Sequence, residues 1–425
     1  MTDNNTMPPM YAIRQRFPET RIADVEETLR AELATCDVRI APGARIAVAV
    51  GSRGIANLAT MVRVILDFVR AQGGEPFLVP AMGSHGGATP EGQREVLASY
   101  GITEAAMSVP ILASLDVRQI GVTGDRVPVF CSTDALAANG IVLVNRIKPH
   151  TDFFGTLGSG LVKMSVIGLG KRTGATAMHQ AAMHLGYERV IRSMGNVMLK
   201  NAPVLGGVAI LENQFHDTAR LVVLPREEIE TAEDALLAES RALMPLLPFE
   251  EIDLLIVDRI GKNISGAGMD PNVTGRSIHG YSSMLARDGR PTPFVRRIFV
   301  RGLTPETHGN AIGIGIADFT TTRLVREMDQ RTTVINSLTA MTPQSAKVPV
   351  HFDTDREALE VALTSLALPE GHAARIVRIA DTLSLAEIEV SEALAPEVAR
   401  HAQLTTAGEP RELAFDADGN LPPLG

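Results

Sequence analysis

The chain has no tryptophan, and aromatic residues make up only 4% of its 425 positions. That scarcity excludes the stacking platforms on which single-stranded nucleic acids are bound. Cysteine is nearly absent as well. Cys36 and Cys131 stand alone, neither in a CxxC, which excludes a disulfide framework and predicts two buried thiols in a reducing compartment. No apolar run reaches the roughly 18 residues that a membrane span requires. The polar stretch from Met1 to Met10 lacks the basic and apolar regions of a secretory signal, so the expected location is cytoplasmic. Positive charge is in deficit, with 40 Lys and Arg against 49 Asp and Glu and a net charge of −9. A nucleic-acid partner would need a basic face, so none is expected.

What is present reads as a soluble α/β protein. The apolar share is 45% and the charged share 21%. The length exceeds one ordinary core, which predicts two domains. Apolar runs alternate with amphipathic stretches. Arg45–Val50 reads as a buried strand that ends at Gly51-Ser52-Arg53-Gly54, with Asn57 capping a helix that turns Met61, Val62, Ile65, Leu66 and Val69 to one face. Pro76–Pro80 is the next strand, ending at Gly83-Ser84-His85-Gly86-Gly87. Thr89 then caps a helix with Pro90 at its first position. Gly140–Asn145 is a third strand, ending at Lys148-Pro149-His150. The expected organisation is two α/β domains with an active-site cleft between them. Residues 1–230 form the first, 231–250 a helical bridge, 251–404 the second, and 405–425 a surface tail rich in Gly, Pro and Asp. The second domain is expected to start at Ile252–Asp258 and to include Arg297–Arg301, Ala311–Ala317 and a helix over Asp355–Leu366.

All three strand ends carry chemistry, and open α/β sheets bind ligands there because loops and helix N-termini converge. Arg53 offers a fork for a carboxylate or phosphate. His85 and His150 titrate near neutrality and can take or give a proton. Lys163 follows Gly155, Gly158 and Gly160, which would let the backbone approach a ligand, and its apolar flanks would favour the nucleophilic amine. His179 lies 16 positions further on (179 − 163) in a helical stretch, with His184 at i+5, a spacing that does not put two imidazoles on one helix face. In the second half, the glycine-dense run from Gly261 to Arg276 offers Lys262, Asn263, Asp270, Asn272 and Arg276 to a ligand. Each residue also has an ordinary reading: a solvated arginine, exposed loop histidines, a satisfied helix histidine, a surface lysine, a structured linker.

Taken together and in this order, Arg53, His85, Pro149-His150, the glycine-rich segment with Lys163, and His179 resemble the lactate racemase superfamily. These are racemases and epimerases that depend on a nickel pincer nucleotide, and the resemblance runs over nearly the whole chain. It implies that Lys163 carries the cofactor through a thioamide bond. His179 would be the nickel ligand, beside one carbon and two sulfurs of the cofactor. His85 and His150 would be the acid/base pair, and Arg53 would hold substrate or cofactor. The implied reaction inverts C2 of a 2-hydroxy acid by reversible hydride transfer. Departures from the lactate enzymes concern the substrate. The first turn reads Gly-Ser-Arg-Gly without an acidic residue, three residues are added between His150 and Lys163, and the second-domain contacts are replaced around Asp270–Arg276. The substrate expected is therefore a 2-hydroxy acid, not specifically lactate, held by Arg53, Lys262, Asn272 or Arg276. Two other readings stand beside this one: a zinc-type hydrolase using His85, His150 and His179, and a non-catalytic two-domain binder of small molecules.

Overall fold

The computed structural model describes residues 7–51, 54–83, 85–151, 153–276 and 293–424. Arg53 lies outside the described residues. The chain is mixed α/β and divides into two compact units, residues 18–244 and residues 1–17 with 245–425. The first strand, β1 (Met10–Gln15), therefore belongs with the later part of the chain.

The unit of residues 18–244 is built on β2 (Arg45–Val50), β3 (Glu75–Pro80), β6 (Gly140–Arg146), β7 (Val204–Glu212) and β8 (Thr218–Pro225), with a separate hairpin of β4 (Val117–Val122) and β5 (Pro128–Ser132). The main sheet has the order β3-β2-β6-β7-β8. It is parallel except for β8, which returns antiparallel to β7. Both faces are covered. Ile46, Val48 and Val50 pack with Leu29, Met61, Ile65 and Leu66, while Ala47 and Ala49 on the opposite face pack with Met178, Met194 and Leu237. This two-sided burial is why β2 reads as an unbroken apolar run rather than an alternating one. The Leu58–Ala71 helix forms as expected, but Asn57 does not cap it. Asn57 sits at φ 56 and its side-chain amide donates instead to Thr218 Oγ1, 3.1 Å away. Thr89 does cap the Pro90–Ser99 helix, accepting from the Gly92 amide. The stretch expected to bridge the domains is a helix, Ile229–Leu243, that packs into this same unit through Ile229, Leu236 and Leu237.

The other unit holds β9 (Glu251–Val257), β10 (Phe294–Val300), β11 (Phe319–Thr321), β12 (Val350–Phe352), β13 (Ile376–Asp381), β14 (Ser384–Ser391) and β15 (Leu404–Thr406), together with β1. The order is β12-β11-β10-β9-β13-β14-β1-β15. β9 to β13 pair in parallel, and β14, β1 and β15 extend the sheet antiparallel. Pairing of Met10–Arg14 with Glu387–Ser391 is what takes the first 17 residues out of the domain they were expected to join. Ala311–Ala317 is apolar but forms no strand. It makes one 3-10 turn over Ile314–Ile316, entered through Gly313 at φ 90, where a Cβ would lie 1.7 Å from the Ala267 carbonyl oxygen.

The segment from 405 onward is more than a surface tail. Its first residues complete β15, and Leu421 is buried. Leu421 donates its amide to Asp355 Oδ2 at 2.9 Å and offers its carbonyl to Arg301, while the Leu424 amide reaches Asp258 Oδ2 at 2.7 Å. Arg301 and Arg378 both pair with Asp258 in the interior. The tail thus supplies hydrogen-bond partners that a buried ionic cluster requires. Deleting residues 420–425 is expected to lower stability by about 2–4 kcal/mol, from the lost Leu421 burial and the broken buried bonds. Urea denaturation of the full chain and the truncated chain measures this, and equal midpoints would show the tail to be a passenger.

Candidate active site

The carboxyl ends of β3, β2 and β6 lie along one edge of the parallel sheet, and the segments that follow carry His85, Gly51 and His150. Beyond β6 the chain runs out to Lys148 and comes back at Ser159. The two residues are clamped by reciprocal backbone bonds, Lys148 N to Ser159 O and Ser159 N to Lys148 O, both 2.8 Å. The Asn145 side-chain amide holds the Gly160 carbonyl at 2.9 Å. These bonds close the 148–159 loop and bring the Pro149-His150 turn against the segment that follows it.

Lys163 lies in that segment, on a helical turn, Leu161–Lys163, that continues as a π-turn over Met164–Gly168. π-turns are often found at functional sites because the extra residue re-aims side chains. The Lys163 ammonium meets His150 Nε2 and lies 3.4 Å from Ser159 Oγ. The glycines before it serve packing rather than ligand approach. A Cβ on Gly158 would sit 2.4 Å from the Lys148 carbonyl oxygen, and one on Gly160 would sit 2.1 Å from Glu233 Oε1. Glu233 is fully buried, and its Oε2 accepts the Val162 amide at 3.0 Å, at the open N-terminus of the Lys163 turn. Burial pushes the Glu233 carboxyl up to about 7, against the amide bonds from Val162 and Leu161, which favour the charged form.

Aromatic rings gather the rest. His150, buried, stacks on Phe153 with centroids 4.6 Å apart, and Phe153 stacks on Tyr187 at 5.3 Å. His150 lies 6.3 Å from the Tyr187 ring, and His179 meets the same ring edge-on at 6.0 Å. His179 is on the Lys171–Leu185 helix and Tyr187 opens the next one, Tyr187–Asn201. Between them Gly186, at φ 83, makes the corner that folds Tyr187 back onto His179. His150, Lys163 and His179 are thus brought into one cluster around Tyr187. His184, further along the same helix, is exposed. His85 begins the 3-10 turn Gly86–Ala88 after β3, and its turn is tied to the π-turn beyond Lys163 by the bond from Gly83 N to Gly168 O, 3.3 Å.

In the other unit, Lys262 is half-buried and bonds Asn336 Oδ1. Asn272 is buried and donates both its backbone and side-chain amides to Asp270 Oδ1. Arg276 is buried, paired with Asp318 at 2.7 Å, and bonded to the carbonyls of Val295, Arg296 and Ile316. Those bonds brace β10, so a substrate contact by Arg276 would require the Asp318 pair to open. Among the described residues, no three or more His, Cys, Asp or Glu side chains gather where they could hold a metal ion, and the three-histidine zinc centre is not assembled there. Cys131 is buried, with its thiol pushed up to about 12 by that burial, and Cys36 is half-buried. No helix among the described residues is long and apolar enough to cross a membrane.

Sequence reasoning missed Tyr187, Phe153 and Glu233. Gly186-Tyr187 was visible only as a glycine beside one of four tyrosines. Glu233 carried no signal, since an acidic residue in a helix is ordinarily solvated.

The pH dependence of Glu233 is testable. Its folded pKa, about 7, lies above the ordinary 4.5, so the stability it contributes is full below about 4.5 and is lost as pH rises through 7. Glu233→Gln is expected to remove this fall, which amounts to about 3 kcal/mol across that window. Denaturation midpoints measured from pH 4.5 to 7.5 for both proteins would show it, and parallel curves would assign the slope to other groups.

No known protein-family model matches the chain, and no curated protein does. Among the solved structures similar to it is that of the lactate racemase apoprotein from Thermoanaerobacterium thermosaccharolyticum. The TM-score is 0.52 at 13% sequence identity, covering 91% of this chain and 95% of that one. At that identity the likeness speaks for the fold: this chain has a distant lactate racemase-like fold.

Proposed function

We propose that this protein is an isomerase, a racemase or epimerase that inverts C2 of a small 2-hydroxy acid with a nickel pincer nucleotide held on Lys163. The observation that carries the reading is the gathering of His150, Lys163 and His179 around Tyr187, on a lactate racemase-like fold. The residues present fit the cofactor. A group that brings carbon and sulfur donors of its own needs one covalent anchor and one further ligand. Lys163 supplies a primary amine for the anchor, and His179 an imidazole, a donor suited to Ni(II). When bound, the cofactor would accept and return the hydride at C2, chemistry no side chain provides.

The chain's own residues handle the proton and the position. Oxidising C2 to a 2-oxo acid releases the hydroxyl proton, and the reverse step on the other face needs one. His85 and His150 are the groups for these two transfers, imidazoles able both to take and to give a proton. The stack of His150 on Phe153 and Tyr187 fixes the imidazole plane and excludes water from one of its faces. While Lys163 is unmodified its amine meets His150 Nε2, and the covalent link would release His150 to meet the substrate hydroxyl. Arg53, Lys262, Asn272 and Arg276 are the candidate contacts to the substrate's carboxylate and polar groups. Of these, Arg276 is already engaged with Asp318 and three carbonyls.

The test uses protein produced together with the enzymes that make the cofactor. Incubated with single-enantiomer 2-hydroxy acids in heavy water, it is expected to invert one of them while retaining the C2 hydrogen. The peptide containing Lys163 is expected to gain mass, and Lys163→Ala to lose that gain. His85→Gln and His150→Gln should each slow inversion at least about 100-fold. Loaded protein that carries nickel yet leaves Lys163 unmodified would overturn the assignment. Lys262→Ala is expected to raise KM about tenfold with kcat little changed, as loss of ground-state carboxylate binding does.

A further inference from the structure

A second buried cation lies outside this cluster. Lys171 opens the helix that carries His179, yet its side chain is fully buried. It also sits at φ 52, in the left-handed region that is strained for a residue bearing a Cβ. Desolvation pushes its pKa down to about 8, with Asp134 and Cys131 facing it. A stability-driven choice at such a position would be glycine for the backbone or an apolar residue for the interior. Neither could make the bonds that Lys171 makes.

Its Nζ donates to the Pro80 carbonyl at 2.7 Å, on the last residue of β3, and to Gln93 Oε1 at 3.1 Å. Gln93 is fully buried too, on the Pro90–Ser99 helix, and its side-chain amide donates to the Gly83 carbonyl at 3.0 Å and reaches the His85 carbonyl at 3.5 Å. The turn is shaped to be held this way. Gly83 and Gly86 are left-handed at φ 61 and 64, and a Cβ on Gly86 would lie 2.4 Å from the Gly92 backbone. One amine thereby fastens both ends of the Pro80–His85 turn to the first residue of the His179 helix.

We propose that Lys171 and Gln93 form a strut that positions the His85 turn relative to the helix bearing His179. Lys171 is a positioning residue: it sets where His85 stands without touching substrate. The inference rests on the acid/base reading of His85 for its catalytic consequence, but the strut itself is a property of the apoprotein.

Amide hydrogen exchange of the full-length apoprotein tests the strut without cofactor. In Lys171→Met, which keeps the length and removes the charge, exchange over residues 82–93 is expected to rise at least about tenfold while β2 and β6 stay protected. Gln93→Leu should give the same local loss, since it removes the Gly83 and His85 bonds together with the acceptor for Lys171. If Lys171→Met fails to fold, shown by lost protection in β2 and β6, Gln93→Leu decides the matter. Unchanged exchange over 82–93 in a folded variant would overturn the proposal. In the loaded enzyme, a displaced acid/base group is expected to lower kcat at least about tenfold with KM within about threefold. A loosened turn with unchanged kcat would leave the strut standing and refute the role of His85 instead.

Discussion

The arrangement of the first unit follows from a sheet buried on both faces. β2, β3 and β6 are covered above and below, so their central side chains are apolar and polar chemistry is displaced to the strand ends. Parallel pairing then brings the carboxyl ends together at one edge. The turns there need not be regular, and they hold the glycines and histidines that the strands exclude. The edge is where the chain can present polar side chains such as His85 and His150 without opening its core.

Buried ionisable groups are concentrated behind that edge. Glu233 closes the N-terminus of the Lys163 turn, and Lys171 closes the His85 turn. Each pays a desolvation cost that an apolar residue would avoid, and each has its polar bonds aimed at main chain that bears a candidate active residue. The ionic cluster of Arg301, Arg378, Asp258 and Asp355 follows a different logic. Its partners are backbone groups of the chain's own C-terminal segment, and it fixes that segment in place.

The likeness in fold to a lactate racemase and the cluster around Tyr187 are independent observations. The first concerns the path of the backbone over most of the chain, and the second concerns side chains that backbone similarity does not dictate. In the second unit Arg276 is committed to bracing β10, and Lys262 bonds Asn336 Oδ1.

The sequence by itself determined the α/β class, the strands β2, β3 and β6, and the residue types at their ends, because two-sided burial and strand-ending glycines leave a local signature. His150, Lys163 and His179 stood out only as residue types able to carry chemistry, and the contacts of His150 with Lys163 and of both histidines with Tyr187 came from the fold. The partnership of β1 with β14 was not legible, since residues nearly 380 positions apart pair through backbone bonds that carry no residue code. Nor was the helix Ile229–Leu243 separable from a linker, because an amphipathic pattern does not say which core receives its apolar face. Tyr187, Glu233 and Lys171 became significant only in three dimensions. A tyrosine, a helix glutamate and a helix-opening lysine are ordinary until folding buries them, and burial is what converts their polar groups from solvated to directional.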